Sequence, residues 1–159
     1  MRKFILIILA LLSAFLFIFA KKNSDLNYLN SELSDTIWLN DFELAKERSK
    51  IEDKPILLYF TGSNWCGWCI KLKKEVFVKD DFNEFALNNL ILVEIDFPKG
   101  ISLDLDLEKQ NNDLADKYGI NAFPTVVLVD YHGSTIARTG YIEGGEVAYI
   151  NHLKSLISN

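Results

Sequence analysis

Two cysteines separated by two residues have the clearest potential for chemistry in this chain of 159 residues. They are Cys66 and Cys69, and the chain contains no other cysteine. Thiols at this spacing can form a disulfide with modest strain, and such a bond opens and closes by thiol–disulfide exchange. The two residues lie too close in sequence to crosslink distant parts of a fold. The pair is therefore a candidate redox centre.

The residues before the cysteines indicate how the pair is presented. Residues 55–60 form a continuous apolar run, which is typical of a strand buried on both faces. The motif Trp65-Cys66-Gly67-Trp68-Cys69 follows this strand and opens a helix. The free N–H groups and partial positive charge of a helix start stabilise a thiolate. We therefore expect Cys66 to be the nucleophile and Cys69 to be the more buried resolving thiol.

Pairs of cysteines at this spacing also occur in sites that do not turn over. A closed zinc site needs four ligands, and the chain offers only His132 and His152 besides the two thiols. Thiols can also relay copper, and a redox chaperone binds peptides as its main work. The alternative to an enzyme is therefore a thiol-based metal- or peptide-binding module. We expect no metal ion here, and thiol exchange needs no organic cofactor.

The segments around the motif alternate between patterns typical of strands and of helices. Asn40 or Asp41 can cap the first helix, which places Phe42, Ala45 and Ile51 on its apolar side. Strand, helix and strand in alternation predict an α/β fold with a central sheet flanked by helices. The predicted strands cover residues 36–39, 55–60, 90–96, 125–130 and 135–139. The predicted helical stretches cover 40–53, 70–88, 109–118 and 143–157, with a loop over 97–108.

Residues 1–22 are predicted to be a membrane-directed leader. Residues 4–20 contain one polar side chain, Ser13. This segment fits both a signal peptide and a minimal membrane-spanning helix, so cleavage and retention both stay open. Residues 23–35 are polar and aperiodic and are predicted to link the leader to a domain over residues 36–159. We expect that domain to be extracytoplasmic, either periplasmic or secreted, and anchored in the inner membrane if the leader is retained.

The overall composition excludes several classes of protein. Hydrophobic residues make up 49% of the chain, which is typical of a globular fold and not of a disordered or low-complexity one. Asp and Glu number 22 against 17 Lys and Arg, so the net charge is −5. Binding to nucleic acid requires a basic face. We therefore expect no nucleic-acid partner.

A second motif lies before the predicted fourth strand, in the sequence Ile120-Asn-Ala-Phe-Pro-Thr125. With the cysteine motif, it resembles the thioredoxin superfamily over residues 36–157. Phe123-Pro124-Thr125 is similar to that family's loop with a cis-proline beside the thiols. Gly140 is similar to the glycine that lets a substrate chain approach. The residues Lys54 to Leu58 and Thr139 to Tyr141 resemble reductase-type thiol:disulfide interchange domains.

The resemblance implies a thioredoxin fold with a central mixed sheet and assigns roles within it. Thioredoxins carry a buried acid on the strand before the cysteines, and the nearest equivalent here is Tyr59. Glu94 on the next strand is a candidate replacement, since a carboxylate in an apolar strand can accept a proton near neutral pH; the alternative is that it faces water and does nothing. The predicted catalytic residues are Cys66, Cys69, Pro124 and Glu94. The predicted substrate-binding residues are Trp65, Gly67, Trp68, Phe123, Thr125, Gly140 and Tyr141.

These observations predict a thiol–disulfide oxidoreductase that reduces disulfides of exported proteins. Its partners are protein or peptide disulfides and an unidentified thiol electron donor, with the membrane as a further partner through residues 4–20 if the leader is uncleaved. No histidine lies between the cysteines to stabilise a thiolate strongly, as happens in strong oxidants. We therefore expect a redox potential nearer about −270 mV than about −120 mV.

Overall fold

The computed structural model describes residues 37–158, which form a five-stranded sheet with helices packed against it. The predicted leader (1–22) and linker (23–35) lie outside the described residues. The strands are β1 (Trp38–Leu39), β2 (Ile56–Thr61), β3 (Ile91–Asp96), β4 (Thr125–Val129) and β5 (Thr135–Thr139). The helices are α1 (Phe42–Glu52), α2 (Gly67–Leu72), α3 (Asp80–Asn89), α4 (Leu105–Lys117) and α5 (Gly145–Ile157), and a π-helix covers Lys73–Phe77.

The sheet is mixed, and its strand order is β1-β3-β2-β4-β5. β1 and β2 pair with β3 in parallel, whereas β4 pairs with β2 and with β5 antiparallel. Every residue of β2 and of β4 is buried, as expected for apolar strands covered on both faces. The predicted α/β fold with a central mixed sheet is confirmed. Because β2 is the central strand, the cysteine motif that follows it begins beside the carboxyl end of the middle of the sheet.

The predicted helical stretch over residues 70–88 is divided into separate elements. α2 continues into the π-helix, in which the Val78 N–H donates to the Lys73 carbonyl oxygen at 3.1 Å. The wider turn lets the consecutive residues Val76 and Phe77 both reach the core. The chain leaves the helix after Phe77, and α3 begins at Asp80. Apolar periodicity alone does not reveal such a local change of pitch.

Two details of the other helices also differ from the sequence-based expectation. The predicted loop over 97–108 contains the first turn of α4, because the Asp104 carboxylate caps that helix by accepting the Asp106 N–H at 3.0 Å. In α1, Ile51 is 80% exposed and does not belong to the apolar side. Ser49 takes the inner position, seven residues after Phe42 and therefore on the same helix face. No helix within residues 37–158 is long and apolar enough to cross a membrane.

Candidate active site

The Cys66–Cys69 pair forms a disulfide at the point where β2 turns into α2. The turn is closed by the Gly62 carbonyl oxygen, which accepts the Cys66 N–H at 2.9 Å. The Cα atoms of the two cysteines are 5.2 Å apart, within the ordinary range for a disulfide. Cys66 is 7% exposed and Cys69 is 1% exposed. Burial therefore has the order expected for a nucleophile at the surface and a resolving thiol beneath it.

Cys66 occupies the capping position of α2. Its sulfur accepts the Cys69 N–H at 3.2 Å, and its carbonyl oxygen accepts the Ile70 N–H at 3.0 Å. A donor aimed at this sulfur stabilises negative charge on it after the disulfide is reduced. The helix start thus favours Cys66 over Cys69 as the attacking thiolate.

A pair of hydroxyl groups lies beneath Cys69. The Tyr59 hydroxyl donates to the Cys69 carbonyl oxygen at 3.0 Å and accepts a hydrogen bond from Thr61 Oγ1 at 3.1 Å. Burial raises the pKa of Tyr59 to about 12. Tyr59 is therefore neutral at physiological pH. It holds the backbone of the resolving cysteine in place and is not the base that accepts its proton.

Glu94 lies beside this hydroxyl pair, in register with Tyr59 across β2 and β3. Its side chain is half-buried, and its Oε1 atom is 3.0 Å from Lys73 Nζ. The carboxylate thus faces an ammonium group, whereas the sequence indicated apolar surroundings. Tyr59, Cys69 and Lys73 all line one cavity of about 340 Å³. Glu94 itself does not line this cavity, and its connection to the cavity is the ion pair with Lys73.

Two pairs of aromatic rings flank the disulfide. Trp65 packs edge-to-face on Phe123 with 5.7 Å between ring centroids, and Trp68 packs on Tyr141 at 5.2 Å. Trp65 is 40% and Trp68 is 56% exposed. Exposed aromatic side chains around a nucleophile are typical of surfaces that bind polypeptide. Trp68 is the more exposed of the two tryptophans.

The loop before β4 supplies the second motif of the site. The peptide bond between Phe123 and Pro124 is cis, as the resemblance implied. A Cβ atom on Gly140 would lie 3.2 Å from the Pro124 carbonyl oxygen, so the absence of a side chain permits this close approach. The Thr125 hydroxyl donates to the Ala122 carbonyl oxygen at 2.8 Å and so stabilises the loop itself.

A Cβ atom on Gly67 would meet nothing within 4 Å, so packing does not require glycine there. His132 is exposed in the turn between β4 and β5, and His152 Nε2 lies 2.9 Å from Thr139 Oγ1. Within the part of the chain that the structure describes, no three His, Cys, Asp or Glu side chains form a cluster that could hold a metal ion.

Comparison with known proteins places this architecture in a family. Residues 42–152 match the family profile described as a thioredoxin-like domain. The chain belongs to the thioredoxin-like family. "Disulfide bond reductase DsbH" of Chlamydia pneumoniae is 39% identical to this thioredoxin-like chain over 113 residues, which cover 71% of this chain and 68% of that protein. A solved structure of a "DsbH Oxidoreductase" has a TM-score of 0.70 at 38% identity and covers 72% of this chain and 79% of its own.

A second relative is "Thioredoxin-related protein DsbJ" of Chlamydia pneumoniae. It is 30% identical over 111 residues, which cover 70% of this chain and 32% of DsbJ. The chain therefore spans about a third of the length of DsbJ. Together with the disulfide-forming pair Cys66 and Cys69, these relatives confirm the predicted activity. The thioredoxin-like domain is a protein thiol–disulfide oxidoreductase.

The contacts that hold the thioredoxin-like site from the end of β3 and the loop after it were not predicted from the sequence. The Asp96 carboxylate accepts the Ser63 N–H at 2.8 Å and the Ser63 hydroxyl at 2.6 Å. The Trp65 indole N–H donates to the Phe97 carbonyl oxygen at 2.7 Å. The position of Asp96 at the end of β3, next to the end of β2, is the sequence signal that could have indicated its contact with Ser63. Side chains at neighbouring carboxyl ends of parallel strands share one edge of a sheet.

A further missed contact holds the other side of the thioredoxin-like site. The Tyr141 hydroxyl donates to Glu75 Oε2 at 2.7 Å, and this bond ties the loop after β5 to the π-helix. The Lys71 ammonium lies 4.9 Å from the Tyr141 ring centroid. No sequence signal identifies this contact, because Glu75 reads as one charge among several on a solvated helix face.

Proposed function

We propose that this thioredoxin-like oxidoreductase works as a reductase of disulfides in exported polypeptides. The observation that carries the proposal is the surroundings of the Cys66 sulfur. Among the described residues, its one hydrogen bond is from the Cys69 N–H. Strong oxidants stabilise their reduced, thiolate form much more than a single backbone donor does. The reductase named DsbH, at 39% identity, supports the same direction.

The reaction runs through a mixed disulfide. The Cys66 thiolate attacks one sulfur of the substrate disulfide, and the other substrate sulfur leaves as a thiolate that takes up a proton. Cys69 then loses its proton and attacks the Cys66 sulfur, which releases the second substrate thiol. Two electrons pass to the substrate, and the domain is left with the Cys66–Cys69 disulfide. A thiol donor must reduce this disulfide before the next turnover.

The remaining predicted residues bind the substrate segment in this proposal. Phe123 and Pro124 contact the substrate segment, and Gly140 shapes this surface because its missing side chain lets the Pro124 carbonyl oxygen approach closely. Trp65, Trp68 and Tyr141 supply apolar contact area at the rim. Thr125 keeps the proline loop in shape, as its hydrogen bond to Ala122 supports. Gly67 contributes only by leaving space above the disulfide.

The proposed setting is extracytoplasmic. Residues 4–20 direct the chain to the membrane and anchor it there if they are not cleaved. The domain over residues 36–159 then faces disulfide-bearing proteins on the far side of the membrane, in the periplasm or outside the cell. Its electron donor is a membrane-bound or thioredoxin-like dithiol.

The redox potential of the Cys66–Cys69 couple tests the direction of the reaction. The full-length protein in detergent is equilibrated with thiol buffers of known potential, and the reduced fraction is measured by alkylation. We expect a value near about −270 mV, as for thioredoxin. A value above about −180 mV, typical of an isomerase, would refute the reductase and favour oxidation or shuffling.

Cysteine variants supply the matched controls for that measurement. Cys66→Ser should abolish reduction of a peptide disulfide, whereas Cys69→Ser should accumulate the mixed disulfide because nothing resolves it. Full function of the double variant with both cysteines replaced by Ser would show that binding, and not thiol exchange, is the work of the domain.

A further inference from the structure

One lysine is held directly against the aromatic rim of the disulfide, which is formed by the ring pairs Trp65–Phe123 and Trp68–Tyr141. The Lys99 ammonium lies 4.2 Å from the centroid of the Trp65 ring, and Trp65 directly precedes Cys66. The Lys99 N–H donates to Asn64 Oδ1 at 3.0 Å, and the Asn64 side-chain amide donates to the Lys99 carbonyl oxygen at 2.9 Å. This reciprocal pair fixes the backbone of Lys99 against Asn64, which lies two residues before Cys66.

Among the described residues, Lys99 differs from Lys71, the lysine on the opposite side of the disulfide, in having no carboxylate beside its ammonium group. Lys71 lies over the Trp68 ring at 5.1 Å, but its ammonium is also 4.0 Å from Glu75 Oε1. Lys99 has no carboxylate within 4 Å among residues 37–158. It is exposed, and the chain as a whole carries a net charge of −5. The Trp65 side of the rim is thus a local positive site on an acidic protein.

We infer that Lys99 selects partner polypeptides with an acidic side chain next to the disulfide that Cys66 attacks. The inference rests on the proposed function, since it names the substrates of that same site. A disulfide bonded to Cys66 places its flanking residues on the rim formed by Trp65 and Phe123. A carboxylate there meets an ammonium already held in place, whereas a basic residue is repelled. Because Lys99 is an exposed charge beside the disulfide, this contact acts mainly on the rate of productive encounter.

Three peptides that differ only in charge test the inference. Each contains one intramolecular disulfide, flanked on both sides by Glu, by Gln or by Lys. The reduced full-length protein in detergent should reduce them with kcat/KM in the order Glu, Gln, Lys. Each step at low salt should be about two- to fivefold, as for an exposed ion pair. The differences should shrink at about 0.5 M salt, where exposed charges are screened.

Two substitutions of Lys99 and one control assign the effect to this residue. Lys99→Gln should remove most of the preference, and Lys99→Glu should reverse it. Lys50→Gln removes the same charge from the last turn of α1, which precedes the amino end of β2, whereas Cys66 follows the carboxyl end of that strand. It should leave the preference unchanged.

Several outcomes would overturn the inference. One is equal kcat/KM for the three peptides at low salt, and another is a preference that survives in Lys99→Glu. A third is that Lys99→Gln slows the Gln peptide as much as the Glu peptide, because Lys99 would then act on the Cys66 thiolate and not on the substrate. Failure to reduce any of the peptides would refute the proposed function and the inference with it, whereas reduction of all three at one rate refutes the inference alone.

Discussion

At the scale of single residues, the site is unusual in what lies beneath the resolving cysteine. Tyr59 and Thr61 place two hydroxyl groups there, and the pKa of Tyr59, raised by burial to about 12, keeps its hydroxyl protonated throughout the working range. A proton leaving Cys69 therefore needs another acceptor. Glu94 is the carboxylate beside the Tyr59 side chain, and its ion pair with Lys73 reaches the cavity that Cys69 lines.

The first prediction is that Glu94 accepts this proton, directly or through one water. Glu94→Gln should slow resolution by Cys69 about tenfold or more, since positioned bases contribute at least that much. Attack by Cys66 should change little, because the Cys69 N–H that stabilises its thiolate is untouched. Both steps are measured by mixing the reduced protein with a peptide disulfide at pH 6–9, quenching with acid and quantifying the mixed disulfide.

Glu47→Gln is the control for this prediction, since it removes an exposed carboxylate from α1. It should leave both steps unchanged. If Glu94→Gln resolves the mixed disulfide at the parent rate across the whole pH range, Glu94 is only the partner of Lys73, and solvent in the cavity takes the proton.

At the scale of elements, the loop between β3 and α4 also contacts a residue beside the disulfide, Trp65. It accepts the indole N–H of Trp65, carries Lys99 onto the same ring and ends at the capping residue of α4. The buried Asn111 of α4 donates to the Asp96 carbonyl oxygen at 2.9 Å, which ties the helix back to the end of β3. The start of α4 therefore limits the positions that the loop can take beside the disulfide.

The second prediction concerns that helix start. Asp104→Ala removes the acceptor of the Asp106 N–H and should lower the free energy of unfolding by about 1 kcal/mol. Asp104→Asn keeps a capping oxygen and should cost much less. Urea denaturation followed by circular dichroism measures both. Equal losses for the two variants would mean that the charge, and not the capping hydrogen bond, matters at this position.

At the scale of the whole molecule, the buried core of the described region is formed by residues that range in sequence from Leu39 to Leu153. The core is built on β2 and β4, whose side chains are covered on both faces, and it includes fully buried aromatic residues such as Tyr59, Phe60 and Tyr149. Apolar burial of this extent is the dominant favourable contribution to folding. It suffices for a domain of this size without a structural crosslink.

The third prediction is that residues 36–159 form an independent domain. A protein that begins at residue 36 should be soluble without detergent and should reduce peptide disulfides as fast as the full-length chain. Gel filtration, thermal unfolding and the peptide assay measure this. Aggregation of the shortened protein, while the full-length chain in detergent stays folded and active, would show that the domain boundary is wrong.

The order of strands and helices could be predicted from the sequence because each depends on near neighbours. A continuous apolar run predicts a buried strand, and residues 56–61 form the central one. Helix ends were less accurate. Asp104 is one of two aspartates in residues 97–108, and only the packed loop decides which of them caps α4. The π-helix was not predicted, because its wider turn depends on the packing of Phe77 against rings from other elements.

The sequence by itself determined that a thiol pair follows a buried strand at a helix start, which is where a thiolate is stabilised and redox chemistry is favoured. The burial order of Cys66 and Cys69 followed from the same local geometry. Only the tertiary structure decided what surrounds the pair. Lys73 with Glu94, and Tyr141 with Glu75, are 21 and 66 residues apart in sequence. Such contacts depend on strand register and on how helices lie across the sheet, and neither is encoded in a local pattern of residues.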